Sequence, residues 1–492
     1  MITYKSTRGS KAEKTAAQAV IKGIAEDKGL YVPDSIPAMP FDMADMVGRP
    51  YKDVAKDVIA AFFTDYTDAE LTACVNGAYD SKFEAEDIVP VVKAGDAWFL
   101  ELYHGRTAAF KDMALSILPY LLTTAMKKEK EDKRIAILTA TSGDTGKAAL
   151  EGFADVAGTE IIVFFPEDGV SEVQKRQMTT QEGKNTHVYG IKGNFDDAQT
   201  GVKRIFNDAE FNAMLAKRGI KLSSANSINI GRLVPQVAYY VYAYITMLGN
   251  GTVKKGEKIN IVVPTGNFGN ILAAYYASQM GVPVNKFICA SNRNKVLTDF
   301  INTGIYSTKR EFYVTNSPSM DILISSNLER LLYHLSGGDG TEISRLMDAL
   351  EKDKEYTVSE KIRTGMRDFV GGFADEKETE AAIAAMYKEN KYLMDTHTAV
   401  AYKVYEDYRK ETGDATPTVI ASTASAYKFA ASVANALGMA KEPDGFVYVK
   451  ALHEKTDVRV PAGLKDLDKK EIRHKGVIEK SEMADAVDKA LK

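Results

Sequence analysis

The chain has 492 residues, of which 45% are apolar and 26% charged, with a formal net charge of −4; this is a globular balance too long for one compact core, so two or more domains are expected. The small net charge gives no electrostatic reason to expect nucleic acid or an anionic membrane as a partner. Only two cysteines occur, Cys74 and Cys289, both in apolar stretches, which argues against a disulfide framework or a thiolate metal site, and no apolar run reaches the roughly 20 residues that cross a bilayer.

The first twenty residues have no apolar core suited to a signal peptide, so the cytoplasm is the expected compartment. Apolar spacing predicts helices over residues 15–25, 51–63 and 68–79. Residues 89–92 and 97–103 read as two strands joined across Gly95 and Asp96, a hairpin signal. The segment Tyr103-His104-Gly105-Arg106-Thr107-Ala108-Ala109-Phe110-Lys111-Asp112 follows. It places Lys111 beside an aromatic ring, after a glycine turn and before an apolar helix over 113–122. A lysine at a helix entrance feels the positive end of the helix dipole, and desolvation also disfavours its charge. A neutral amine can form a Schiff base. Taken alone, such a lysine is more simply an exposed first-turn residue.

From there strands and helices alternate. Residues 135–139, 161–165, 188–191 and 221–223 read as strands, with helices over 146–157 and 197–216 between them. A second series has strands at 259–263, 287–290 and 418–421. This rhythm implies two doubly wound, mostly parallel α/β sheets, with ligands bound at strand C-termini in a cleft between them. The charged stretch 338–392 is expected to be a solvated helical decoration.

Three strand-to-helix turns stand out. In the first, Ser142, Gly143, Asp144 and Thr145 open a helix; its free amides and hydroxyls form an anion-binding concavity, and a merely capped helix is the plain alternative. In the second, Gly266, Asn267, Phe268, Gly269 and Asn270 follow a strand and open another helix. No lysine follows the second glycine, so it is not a Walker-type loop, but its amides can hold a phosphate. In the third, Ser422 and Thr423 precede a helix over 427–436, where capping competes with a hydroxyl aimed into the cleft. A candidate lysine, two anion-type turns and a hydroxyl turn together suit an aromatic aldehyde with a phosphate arm, which is pyridoxal 5′-phosphate. The histidines are scattered without metal-ligand spacing, so no metal is expected. His104 is expected to be a satisfied structural histidine, and His397 to sit at a helix start.

These motifs, with residues 17–33, Asn226-Ser227-Ile228-Asn229, Arg232 and Ser317-Pro318-Ser319-Met320-Asp321, resemble the bacterial and fungal threonine synthase family of the tryptophan-synthase-β-like, fold-type-II pyridoxal-phosphate enzymes. The resemblance runs over nearly the whole chain. It implies an N-terminal mainly helical domain (1–95) and a large cofactor-binding α/β domain (96–133 and 226–450). A smaller mobile α/β domain (134–225) and a C-terminal segment (451–492) complete it.

The resemblance also assigns roles. Lys111, beside Phe110, would carry the cofactor as a Schiff base and then shuttle protons. Residues Gly266, Asn267, Phe268, Gly269 and Asn270 would cup the cofactor phosphate, and Thr423, with Ser422 as a helper, would face the pyridine nitrogen. Ser142, Gly143, Asp144 and Thr145 would meet the amino-acid end of the substrate. Asn229 and Arg232 would bind substrate, the guanidinium clamping its phosphate, with Lys147 and Lys184 as lesser helpers. The implied activity is a carbon–oxygen lyase converting O-phospho-L-homoserine to L-threonine and phosphate, in a monomer or small homo-oligomer. The alternatives are a serine/threonine dehydratase or sulfhydrylase, or a non-catalytic threonine-synthase-like binding protein. Two departures are visible. Ser425-Ala426 stands where relatives often carry His-Pro, and Arg106 stands where many carry proline, either as a second cation near the substrate phosphate or, the preferred reading, pointing into solvent.

Overall fold

The computed structural model describes residues 1–141, 143–168, 170–442 and 444–492. The apolar runs become strands of two large sheets. One has six strands in the order Phe369–Phe373, Val284–Ser291, Ile259–Pro264, Thr418–Ser422, Ala97–Glu101, Val91–Ala94. All neighbours in it are parallel except the last pair, the hairpin closed at Ala94 and Ala97. The other has five parallel strands, Gly476–Glu479, Thr186–Lys192, Thr159–Pro166, Arg134–Ala140 and Ile220–Ser223. Every residue of Ile259–Pro264 and Thr418–Ser422 is buried. Helices cover both faces there, so these strands read as continuous apolar runs and do not alternate.

The N-terminal helices Ala16–Lys22 and Asp68–Ala78 start at capping boxes made by Thr15 with Gln18 and Thr67 with Glu70. The helix Tyr51–Phe62 lies against the long helix Ile230–Gly249. Tyr51 meets Tyr79 and Tyr242 edge-on, at 5.3 and 5.4 Å between ring centroids.

The structure revises three readings and adds a strand. The apolar stretch 113–122 is two helices, Lys111–Leu115 and Leu118–Lys128. Pro119 has no N–H to donate to Leu115 and instead sits in the first turn of the second helix. The Leu115 carbonyl is free to meet Gly152, where a Cβ would stand 2.1 Å from the oxygen. Only glycine allows that approach, and it brings the helix Asp144–Phe153 onto the helix carrying Lys111. The stretch 197–216 breaks at Asp208, whose carboxylate accepts from Phe211 N at 2.9 Å and caps a second helix, Ala209–Lys217. The segment 338–392 is not mere decoration, because Phe369–Phe373 is the edge strand of the six-stranded sheet. The C-terminal strand Gly476–Glu479 extends the five-stranded sheet. Edge strands are short and half-exposed, so their sequence carries little of the apolar signal that marks central strands.

Candidate active site

Lys111, the turn at 266–270 and Thr423 all follow C-terminal ends of strands in the six-stranded sheet, and the turn at 143–145 follows a strand of the other. The loop before Lys111 is folded back by Asp112, which accepts from Thr107 N at 2.8 Å and from Thr107 Oγ1 at 2.6 Å. Two backbone bonds stitch that loop to the third turn: Phe110 N donates to Thr423 O at 2.8 Å, and Ser425 N to Ala108 O at 3.0 Å.

The Lys111 side chain is 14% exposed, with its Nζ 4.0 Å from Asp144 Oδ2 and 5.2 Å from the centre of the Phe110 ring. Burial pushes its amine down to about 8; Asp144 opposes this, and Lys428 and Arg232 add to it. The expected direction is met, but by desolvation and charge. The helix it opens has only five residues, so its dipole is small.

Asp144 is the hub of the first turn. Oδ1 accepts from Gln174 Nε2 at 2.8 Å and pairs with Lys428 Nζ at 3.2 Å, while Oδ2 accepts from Ser319 Oγ at 3.3 Å. Burial works against its charge, yet Lys428, Lys111 and the Gln174 hydrogen bond hold it well below the usual carboxylate range. Gly143 has φ +140°, and a Cβ there would stand 2.4 Å from Gln174. Thr141 Oγ1 accepts from Gly143 N at 3.0 Å and Gly146 N at 2.9 Å, so two of the turn's amides are already used. Thr145 is half-buried, and Ser142 lies outside the described residues.

In the second turn the carbonyls are tied back into the protein. Gly266 O accepts from Ser325 Oγ at 2.6 Å, and Asn267 O from Asn327 N and Nδ2, both at 3.1 Å. Phe268 has φ +63°, costly for a bulky residue. Its buried ring stacks on Phe369, 6.2 Å away, in the edge strand missed from the sequence. Gly269 begins the twelve-residue helix Gly269–Met280, which follows the strand Ile259–Pro264 and, among the described residues, has no side-chain cap on its first-turn N–H groups. Asn270 Oδ1 accepts from Tyr239 at 2.9 Å and also from Tyr240, while its buried Nδ2 has no partner among the described residues.

In the third turn Ser422 and Thr423 separate. Ser422 Oγ contacts Thr398 Oγ1 at 3.2 Å and Tyr392 at 3.5 Å. Thr423 is buried and its backbone N donates to Thr398 Oγ1 at 3.3 Å.

Arg232 is 4% exposed. Nη1 donates to Ala225 O at 2.8 Å, Nε has no partner among the described residues, and burial pushes the guanidinium down to about 10. Asn229 is occupied otherwise: its oxygen caps Gly231 N at 2.8 Å and its Nδ2 donates to Val20 O at 2.9 Å. Lys147 turns away to Glu151, 3.1 Å off, which also pairs with Arg106 at 3.0 Å. His104 is held by Glu101 at 2.7 Å.

Two groups escaped the sequence reading. Lys428 is buried and donates to Thr107 O at 2.7 Å; the available signal was a lone charge inside an apolar stretch. His397 sits in the first turn of the helix Thr396–Thr412, as expected, but its ring also acts. Nδ1 meets Asp395 at 2.8 Å and Nε2 accepts from Ser319 N at 3.1 Å, which fixes the neutral Nδ1–H form in this network.

A family model described as pyridoxal-phosphate dependent enzyme matches residues 86–424. Models of the threonine synthase N terminus and C-terminal region match residues 3–79 and 398–490. A threonine synthase of Pseudomonas aeruginosa is 37% identical over 444 residues, 89% of this chain and 91% of that protein. The chain belongs to the threonine synthase family of pyridoxal-phosphate-dependent enzymes. The crystal structure of a PLP-bound threonine synthase from Brucella melitensis is 34% identical and superposes with a TM-score of 0.89 over 100% of both chains. The family's fold-type-II α/β architecture is thus the fold of this chain. A human protein named threonine synthase-like 1 is 40% identical over 437 residues, 86% of this chain; the chain spans 58% of that relative's length.

The residues present fit the family's cofactor. A buried lysine whose amine is pushed down to about 8 has a neutral fraction that can condense with an aldehyde. A helix N-terminus can take a phosphate without a cation, and the Thr423 hydroxyl can meet a ring nitrogen. Among the described residues no group of His, Cys, Asp and Glu is placed to hold a metal, and no helix is long and apolar enough to cross a membrane.

Proposed function

We propose that the chain converts O-phospho-L-homoserine and water to L-threonine and phosphate, with pyridoxal phosphate held by Lys111. The observation that carries this reading is Arg232: a buried guanidinium with, among the described residues, one carbonyl partner and no acidic one, beside a buried lysine of lowered proton affinity. An isolated buried cation is costly, and a dianionic substrate phosphate would repay that cost through paired hydrogen bonds.

When bound, the cofactor supplies an electron sink for negative charge developing at the carbon that bears the amino group. Residues 266–270 and the N-terminus of Gly269–Met280 would hold its phosphate, and Thr423 its ring nitrogen. Lys111, displaced by the substrate's amine, would accept the Cα proton and then serve at Cβ, both within reach of one flexible chain. Its neutral form is the active one, so turnover is expected to rise with pH up to about 8. Arg232 would hold the γ-phosphate while it leaves. Asp144 is a poor receptor for the substrate carboxylate, because it is itself charged. Backbone N–H groups of its turn are the better donors.

The test is to add O-phosphohomoserine to purified protein and follow threonine and phosphate together. Equal appearance of both is expected. Keto-acid release from serine or threonine without phosphate would favour a dehydratase. Visible cofactor absorption with neither product would favour a binding protein.

A further inference from the structure

Asp144 faces two buried amines with one negative charge, and they are not equivalent. Lys428 Nζ is 3.2 Å from Oδ1, is anchored to Thr107 O at 2.7 Å, and belongs to a side chain with 0% exposure. Lys111 Nζ stands 4.0 Å from Oδ2, outside hydrogen-bond range. We propose that Lys428 is a positioning residue for the reaction: its ammonium pairs with Asp144, so that Asp144 does not take Lys111 as its counter-ion. The proposal rests on the reading that Lys111 carries the cofactor.

A buried carboxylate is strongly destabilised unless a cation pairs with it. If Lys428 were absent, the nearest ammonium available to Asp144 would be Lys111. A protonated Lys111 could neither hold an aldehyde nor accept the Cα proton. The groups facing Lys111 are Asp144 from the helix Asp144–Phe153, Lys428 from the turn Ala426–Phe429, Arg232 from the helix Ile230–Gly249, and Asp112 on its own helix. Asp112, its carboxyl raised to about 6 by burial and bonded to Thr107 through both oxygens, is ionised near pH 8 and adds a further pull toward a charged Lys111, smaller than that of Asp144. Gln174 and Ser319 complete the Asp144 shell with neutral donors only. Lys428 is therefore the residue whose charge decides whether Asp144 captures Lys111. It also holds the carbonyl of Thr107, the residue that folds the Lys111 loop.

The experiment compares holoprotein with Lys428→Met, Lys428→Arg and Asp144→Asn. Two readouts are taken against pH: the visible absorption of the bound cofactor, and kcat. With Lys428→Met, both midpoints are expected to move up by about one pH unit, a roughly tenfold loss of kcat below the limb. Lys428→Arg keeps the charge and is expected to stay near the wild type; Asp144→Asn is expected to move the midpoints down. A Lys428→Met profile reduced at every pH but with unmoved midpoints marks a packing role and overturns the proposal, as does a Lys428→Arg variant that behaves like Met. If Lys428→Met does not accumulate as folded protein, Asp144→Asn decides, and an unmoved or upward midpoint overturns it. A wild-type protein without a visible band attached to Lys111 sinks the underlying reading instead.

Discussion

Two arginines of this protein share one electrostatic description and differ in what they touch. Arg232 and Arg330 are both buried, neither forms an ion pair among the described residues, and burial lowers both to about 10. Arg330 is nevertheless bonded at all three nitrogens: Nε donates to Tyr31 O at 2.9 Å, Nη1 to Asn327 Oδ1 and Nη2 to Ile228 O. Asn327 in turn holds Asn267 O. Arg330 thus ties the N-terminal region to both the 266–270 turn and the loop before Arg232. Among the described residues Arg232 makes one side-chain bond, and its Nε has no partner. The difference teaches that a perturbed proton affinity does not by itself separate a structural cation from a candidate ligand; unspent hydrogen-bond capacity does.

The comparison breaks first at Arg330. Truncation to alanine would leave several buried acceptors unpaired and open a cavity, so the loss of stability is expected to be about 3–5 kcal/mol. Denaturant unfolding measures it; a loss under 1 kcal/mol would mean the three bonds are not a structural hub. Arg232→Ala is expected to leave stability within about 1 kcal/mol. Its effect should fall on catalysis, lowering kcat/KM for the phosphorylated substrate by about 10²-fold or more, near 3 kcal/mol. Cofactor absorption should stay intact, and equal turnover would remove the proposed clamp.

His334 sharpens the picture around Arg330. Burial first, then the Arg330 charge, lowers its imidazole to about 4, and Tyr276 shares a hydrogen bond with its Nε2 at 2.8 Å. The folded value lies below the unfolded one near 6.5, so the unfolded chain takes up the proton first as pH falls. The neutral ring's contribution is therefore complete above pH 6.5 and is lost toward pH 4, at most about 3 kcal/mol. Melting at pH 7.5 and pH 5 should show this loss in the wild type and a smaller one in His334→Gln. The smallest effect is expected at Arg106, half exposed beside Glu151. Arg106→Ala should change stability by no more than about 0.5 kcal/mol and leave KM alone; a large rise in KM would return it to the substrate site.

The sequence by itself determined what is local. Glycine and hydroxyl residues at strand-to-helix turns marked the three loops, and continuous apolar runs marked the buried strands. Lys111 at a helix entrance marked the amine. Each of these signals lies within a few residues of the feature it sets, through backbone geometry and side-chain period. What tertiary structure alone decided is which distant groups share a charge or a proton. The pairing of Asp144 with Lys428 spans the two sheets, and Ser319 N reaches His397 across separate segments. Neither Asn229, spent on capping, nor Arg232, left unpaired, could be told from an ordinary polar residue by its neighbours in sequence. Phe369–Phe373 was missed for the same reason, since an edge strand owes its place to the strand it pairs with. Burial and pairing are set by strand order and helix packing, and those depend on contacts that no short window of residues contains.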